Sequence, residues 1–300
     1  MKLTDSRAVN GVLLLDKPAG VTSNRALQTV KKLFRATKAG HCGTLDPFAT
    51  GLLPVCFGEA TKFSRFALDS EKTYTARLRL GETSSTGDLE GEVTRRASVE
   101  CSRPEIERVI AGFVGMRRQT PPMFSALKRN GVRLYALARQ GIEVERASRD
   151  VTISRIRLIS FDNHDLDIEV TSSKGTYIRV LAEDIGNALG CGAHLTALRR
   201  TRVGRFALDA AHSLQALQMS PDSCLLPLDC LIEHLPRLPL DEESTTRLRH
   251  GQALAVGVAE GVYGVYRGDA FLGVGSVDPS GTLTAKRLLS ERMLDSRAIT

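Results

Sequence analysis

From Gly11 to Arg205 the apolar pattern of this chain keeps switching between a period of two and a period near 3.6. Neither period lasts for more than one short element, which calls for a mixed α+β architecture. Gly11-Val-Leu-Leu-Leu-Asp16 reads as a buried strand running into a Pro18–Gly20 turn. Ser23 is placed as the N-cap of a helix with Leu27, Val30 and Phe34 on one face, closing near Gly40. Lys31, Lys32, Arg35 and Lys38 fall largely off that stripe. Tyr74, Ala76, Leu78 and Leu80 then alternate with Thr75, Arg77 and Arg79 as a half-buried strand ended by Gly81. The polar stretch Thr83–Gly91 is read as a loop, and Pro104–Ala111 as a helix with proline in its first turn. Pro121-Pro122 excludes mid-helix, and Leu134, Leu137 and Ala138 predict a short helix. Leu166, Ile168 and Val170 predict a strand, turned at Ser172–Gly175. It leads into a helix carrying Leu181, Ile185 and Leu189 and stopped by Gly190.

Charge and composition both change at Leu235-Pro-Arg-Leu-Pro239, the best linker candidate, and the Gly- and Val-rich run from Gly251 to Leu289 predicts a small β domain. The expected division is therefore 1–235 and 236–300. A hydrophobic fraction of 42% and a charged fraction of 25% exclude disordered and fibrous classes. No apolar stretch approaches the ~18 residues of a membrane helix, and Met1–Ser6 lacks the apolar core of a signal peptide. A soluble cytoplasmic protein is expected, with no membrane association. The six cysteines form no CxxC and no zinc-spaced cluster, so reduced thiols are expected, with neither bridges nor a metal.

The net charge of +7 is uneven, since residues 236–300 carry eight basic and eight acidic side chains. Gly115–Asp150 holds eight basic residues and three acids, and Arg199, Arg200, Arg202 and Arg205 follow with no acid among them. Such clusters fit a polyanion partner or a solvated basic face.

The loop His41-Cys-Gly-Thr-Leu-Asp46-Pro-Phe-Ala-Thr-Gly51 is the least ordinary segment. Asp46 is either the capping carboxylate of an Asp–Pro turn or a reactive group. Arg179 lies on an otherwise apolar element and needs a carboxylate there. Asp46 would be held ionised by such a pairing, whereas Glu183 or Asp184 would make a structural ion pair. Tyr74 is a core tyrosine or a site residue, and His41 is structural or functional.

Beyond these residues, longer motifs carry a resemblance. Leu14-Leu-Asp-Lys17-Pro-Ala-Gly20-Val-Thr-Ser23-Asn, Gly40-His-Cys-Gly-Thr-Leu-Asp46-Pro-Phe-Ala-Thr-Gly-Leu-Leu-Pro54 and Gly58-Glu-Ala-Thr-Lys62 resemble the TruB family of tRNA pseudouridine synthases. Lys72-Thr-Tyr74, Pro122-Met-Phe-Ser-Ala-Leu-Lys128, Ser173-Lys-Gly-Thr-Tyr-Ile-Arg179, Cys191-Gly-Ala-His194 and Leu198-Arg-Arg200 continue it in family order. The resemblance implies a mixed, largely antiparallel sheet flanked by helices, with a small PUA-like β domain at the C-terminus. It implies Asp46 as the nucleophile toward a flipped uridine, Arg179 as its partner and Tyr74 as the ring stacked on the base. His41 would lie where the base departs, with Tyr177 and Leu198 lining the pocket and Lys17 and Gly20 supporting it. The implied partner is tRNA, at the T-loop uridine of position 55, with segment 115–150 as a basic RNA-binding insertion. No cofactor is expected, because the isomerisation involves no net redox change and the chain has no Gly-rich nucleotide motif.

Two other classes compete. A binding-only RNA module or folding chaperone explains the charge but not the conjunction of Asp46, Tyr74 and Arg179. A glycoside hydrolase needs a second carboxyl group; none stands in the Asp46 loop, which leaves a remote partner such as Glu183. The short stretch before Gly11 and the small neutral tail resemble the stand-alone bacterial type rather than the guide-RNA-dependent branch, so no protein partner is expected. Nothing in the sequence marks an oligomer interface, and a monomer is the expectation.

Overall fold

The computed structural model describes residues 6–218, 222–290 and 293. Met1–Asp5, most of the segment read for an export signal, lie outside them, as do residues 219–221, 291–292 and 294–300.

An eleven-stranded mixed sheet forms the body. Its path runs His212–Ser213, Gly11–Lys17, Thr50–Phe57, Ala193–Val203, Lys72–Leu80, Asp165–Ser172, Arg149–Asp162, Gly115–Gln119. Pairing along this path is antiparallel except at Leu15–His212 and at Arg199–Thr50, where neighbours run parallel. The first strand is buried on both faces, as its unbroken apolar run requires. Leu13 and Leu15 pack with Ala26 and Val30 of the helix Ser23–Leu33 and with Phe34, which caps its C-terminus, while Val12 and Leu14 face a separate apolar cluster. Farther along, Leu78, Leu80, Ile168 and Val170 are covered by Leu181 and Ile185 of the helix Ile178–Ala188 and by Ile106 and Ile110 of Arg103–Ala111.

The C-terminal part is a five-stranded sheet, Arg237–Pro239, Gly261–Arg267, Ala270–Val277, Thr282–Leu288 and Leu254–Ala255 in spatial order. It is packed on the body. Val265, Phe271, Leu272 and Leu283 share one core with Val12, Leu14, Leu52 and Phe63, and the Phe63 and Phe271 rings are 5.2 Å apart. Lys62 Nζ donates to the Leu288 carbonyl at 3.0 Å, and the Ser290 N–H donates to Glu59 at 2.6 Å.

Several sequence expectations are corrected. Thr22, not Ser23, caps the first helix, its hydroxyl accepting from the Arg25 N–H at 3.1 Å. Ser23 is diverted inward, donating to the Leu45 carbonyl and accepting the Leu45 N–H, which fixes the residue before Asp46. That helix ends at Leu33, well before Gly40. Arg35 takes a left-handed φ of 51°, and Ala39–His41 leaves as a strand along Thr50–Phe57. Within Thr83–Gly91, the strand Glu82–Ser84 pairs with Val93–Arg95, so only the turn between them is loop. The expected linker is partly a strand, Arg237–Pro239. The helix Glu242–Arg249 was not predicted, although its Asp241 cap and acidic first turn are present in the sequence.

Gly51, the second residue of the strand Thr50–Phe57, takes φ +101°, and a Cβ there would clash with the Arg200 carbonyl. Both the conformation and the backbone clash oppose a side chain. Gly51→Ala is expected to destabilise the fold by more than about 2 kcal/mol, read as a lowered urea midpoint.

Candidate active site

Three elements meet at Asp46: the loop 42–49, the N-terminal turn of the helix Ile178–Ala188, and the turn 85–92. Arg179, in that first helical turn, has its side chain only 4% exposed. Its Nε lies 3.0 Å from Asp46 Oδ2 and 3.4 Å from Asp88 Oδ2, so one guanidinium is shared by two carboxylates. The other guanidinium nitrogens are fixed by backbone, Nη1 donating to the Thr86 carbonyl at 2.9 Å and Nη2 to the Phe124 carbonyl at 2.7 Å. Glu183 and Asp184 do not take Arg179. Glu183 lies against Gly87, and Asp184 faces the field of Arg117.

The two carboxylates differ in access. Asp88 is 4% exposed in its side chain and accepts from the Thr86 hydroxyl at 2.6 Å and the Glu90 N–H at 2.9 Å. Asp46 keeps 33% of its side chain open, so it is enclosed by protein yet reachable through the mouth of the site. Its pKa is raised above the ordinary carboxylate value. Burial is the largest cause and Asp88 adds to it, against the attraction of Arg179 and Lys17. Arg179 pulls Asp46 toward its charged form, as the expected pairing implies, but burial together with Asp88 outweighs that pull.

Asp88 is the residue that sequence reasoning missed. It stands in a polar, Gly-bearing stretch with no hydrophobic pattern to show that it turns inward. Arg200 was misread. It belongs to a run of arginines taken as a basic cluster, yet it is 1% exposed and spends its donors on backbone, with the Leu52 carbonyl at 2.7 Å and the Gly43 carbonyl at 3.1 Å. It thus braces the Asp46 loop from below. Its neighbours disperse as well, Arg199 pairing with Asp16 and Arg205 with Glu233, so this run is not a single basic patch.

The other expected residues gather around the same loop. Lys17 is fully buried, and its ammonium donates to the carbonyls of Pro18, Val21 and Pro47. Burial lowers its pKa to about 8, with Asp46 pulling the other way. Gly20, at φ +74°, donates its N–H to the same Pro47 carbonyl, so the Lys17–Gly20 turn clamps the residue after Asp46. Burial, then Arg200, lowers the pKa of His41, which favours a neutral ring. Tyr74 is half-buried opposite Arg200 in the adjoining strand, and no hydrogen bond holds its hydroxyl among the described residues, unlike a satisfied core tyrosine. Leu198 is buried beside Leu45 and Ile178. Tyr177 precedes the helix of Arg179. Gln119 holds its backbone on both sides, and the Arg149 guanidinium lies 4.9 Å from its ring centre.

Segment 115–150 borders this site through Gln119 and Phe124. Its cations are racked on aromatic rings, Arg133 and Arg139 on Tyr135 and Arg117 on Phe113. Among the described residues no His, Cys, Asp or Glu cluster could hold a metal ion. None of the described helices is long and apolar enough to cross a membrane.

Residues 31–178 match the description "TruB family pseudouridylate synthase (N terminal domain)", 179–233 "tRNA pseudouridylate synthase B C-terminal domain" and 236–289 "Pseudouridine synthase II TruB, C-terminal". Fold and site therefore define the class as pseudouridylate synthases. The chain is 52% identical over 297 residues to tRNA pseudouridine synthase B of Chromohalobacter salexigens, covering 96% of this chain and 97% of that protein. It is also 52% identical over 289 residues to the synthase of the same name from Dechloromonas aromatica, covering 94% and 96%. At this identity and coverage, the chain belongs to the TruB family. A chain in the crystal structure of a Cbf5-Nop10-Gar1 complex superposes with a TM-score of 0.74 at 26% identity, covering 94% of this chain and 86% of that one.

Proposed function

We propose that this protein isomerises uridine to pseudouridine in tRNA, at the T-loop uridine of position 55, with Asp46 as the attacking carboxylate. The observation that carries the reading is the Asp46–Arg179–Asp88 triad, in which only Asp46 is open to the mouth of the site. The bond to be exchanged lies inside a folded RNA loop, so the uridine must be flipped out before a carboxylate can reach it. Tyr74 offers its ring for the flipped base to stack on, with Leu198 and Tyr177 as pocket walls and neutral His41 on the side the base vacates. A single nucleophile divides the glycosidic cleavage and the new carbon–carbon bond into two steps. Arg179 stabilises the charged form of Asp46, while Lys17, Gly20 and Ser23 keep its loop in place. No electrons are exchanged and no water is consumed, so the reaction needs no cofactor.

On this reading residues 1–235 are the catalytic unit, 115–150 its RNA-gripping insertion, and 236–300 a support behind it. The enzyme works in the cytoplasm as a monomer without a protein partner. The test is incubation with an unmodified tRNA transcript and mapping of every uridine. Pseudouridine at position 55 alone is expected. RNA binding with no pseudouridine from folded protein would leave a binding-only module.

Asp88 gives the reading a pH signature. Asp88→Asn removes a like charge and leaves Arg179 to Asp46, so the pKa of Asp46 should fall. The acid limb of the rate profile is expected to move to lower pH, and an unmoved limb would mean Asp88 does not act on Asp46.

A further inference from the structure

The chemistry above uses none of the six cysteines, yet two of them meet beside the catalytic loop. Cys42 immediately follows His41 at the head of that loop, and Cys56 lies on the strand Thr50–Phe57. Their sulfurs are 3.4 Å apart and both residues are fully buried. The Cys42 N–H donates to the Pro54 carbonyl at 2.8 Å, which fixes the two backbones side by side. A third thiol, Cys230, shares their apolar cluster, but burial pushes its pKa up to about 12 and keeps it protonated.

The surroundings of Cys42 are cationic. Lys72 is 5% exposed and donates to the carbonyls of Ala67, Leu68 and Ser70; Arg200 is bound to carbonyls alone. Among the described residues neither cation is in an ion pair with a carboxylate. Two buried positive charges without a carboxylate call for another counter-charge. The hydrogen bond with Cys56 is the largest influence lowering the Cys42 pKa, and Lys72 and Arg200 add to it against burial, whereas neither cation bears on Cys56. Because the two cations act on Cys42 and not on Cys56, Cys42 is the thiol placed to attack and Cys56 the one to resolve.

We propose that Cys42 and Cys56 form a reversible disulfide when the protein meets a hydroperoxide, and that this bond slows the enzyme by displacing the loop that carries Asp46. In the first step the Cys42 thiolate attacks a peroxide oxygen. The S–O bond forms, the O–O bond breaks, and the departing hydroxide takes a proton to become water. Cys56 then attacks the Cys42 sulfur. The S–S bond forms, the S–O bond breaks, and the Cys56 proton leaves with the hydroxide as a second water. Two thiols are oxidised and one peroxide is reduced. Bonding draws the sulfurs from 3.4 Å to about 2 Å, which shifts the head of the loop four residues before Asp46. Because both thiols are buried, the reaction waits on local opening of the loop and is slower than that of an exposed thiol.

The test treats the full chain with hydrogen peroxide, blocks remaining thiols and maps the peptides. The expected product is a Cys42–Cys56 link that dithiothreitol reverses, with altered hydrogen exchange over residues 43–50. The slowing rests on the function proposed above. Pseudouridine formation is expected to fall at least about tenfold on oxidation and recover on reduction, since a displacement near 1 Å at a reacting group has effects of this order or larger. Cys42→Ala and Cys56→Ala should each retain activity in peroxide. A link to another cysteine, no link at all, or a linked protein with unchanged rate and exchange overturns the proposal. Mapping and exchange need no turnover, so an untreated protein that makes no pseudouridine refutes the function rather than the thiol pair.

Discussion

Asp46→Asn is expected to abolish pseudouridine formation, by on the order of 10⁴-fold or more, while leaving RNA affinity near that of wild type. The substitution keeps the shape of the side chain and removes only its charge and nucleophilicity. Arg179 retains Asp88 as a partner at 3.4 Å, so its guanidinium is not stranded and the fold should hold. The measurement pairs single-turnover pseudouridine mapping with filter binding of the same transcript. A variant that binds and still isomerises at more than a hundredth of the wild-type rate would remove Asp46 from the role of nucleophile.

Arg179→Ala should be worse for the protein as a whole. It leaves two carboxylates facing a buried site without their shared cation, and it strands the carbonyls of Thr86 and Phe124. Breaking a buried ion pair from one side costs about 3–5 kcal/mol. A lowered urea midpoint is expected, together with a rate loss and an acid limb displaced to higher pH. The sign follows from the causes: without the guanidinium, burial and Asp88 both act to keep Asp46 protonated. Arg179→Lys retains the positive charge but not the planar fork that reaches two carboxylates and two carbonyls, and should recover stability before it recovers rate. Unchanged stability in Arg179→Ala would mean that water fills the gap and the pair is not a structural element.

How much of this was legible depended on whether a residue left a local signature. The strand Lys72–Leu80 alternates cleanly, and the helix Ile178–Ala188 carries its stripe up to Gly190, so both could be read. The strand Ala193–Val203 could not. Register shifts between Leu195 and Ala197 and between Arg200 and Arg202 break its period of two, and its fully buried arginine looks like surface charge. The strand Thr50–Phe57 was hidden by Gly51 and Pro54 in a central position. Pro54 pairs opposite Leu14 there, and its carbonyl accepts the Cys42 N–H. In the site, Asp46 and Arg179 were conspicuous as polar residues in apolar or glycine-bounded company. Asp88 was polar among polar residues, and only the fold turns it inward.

The sharing of one core between the C-terminal sheet and the body has a consequence for how the molecule comes apart. Phe271 and Val265 are as much the interior of the sheet that carries Val12 and Leu52 as of their own. A change of composition at residue 235 therefore marks a joint in the chain but not in the free energy. Heat or denaturant should melt both sheets in a single cooperative transition. A chain cut there would lose the cover of its own interior, and with it the rigidity of the strands from which the catalytic loop hangs.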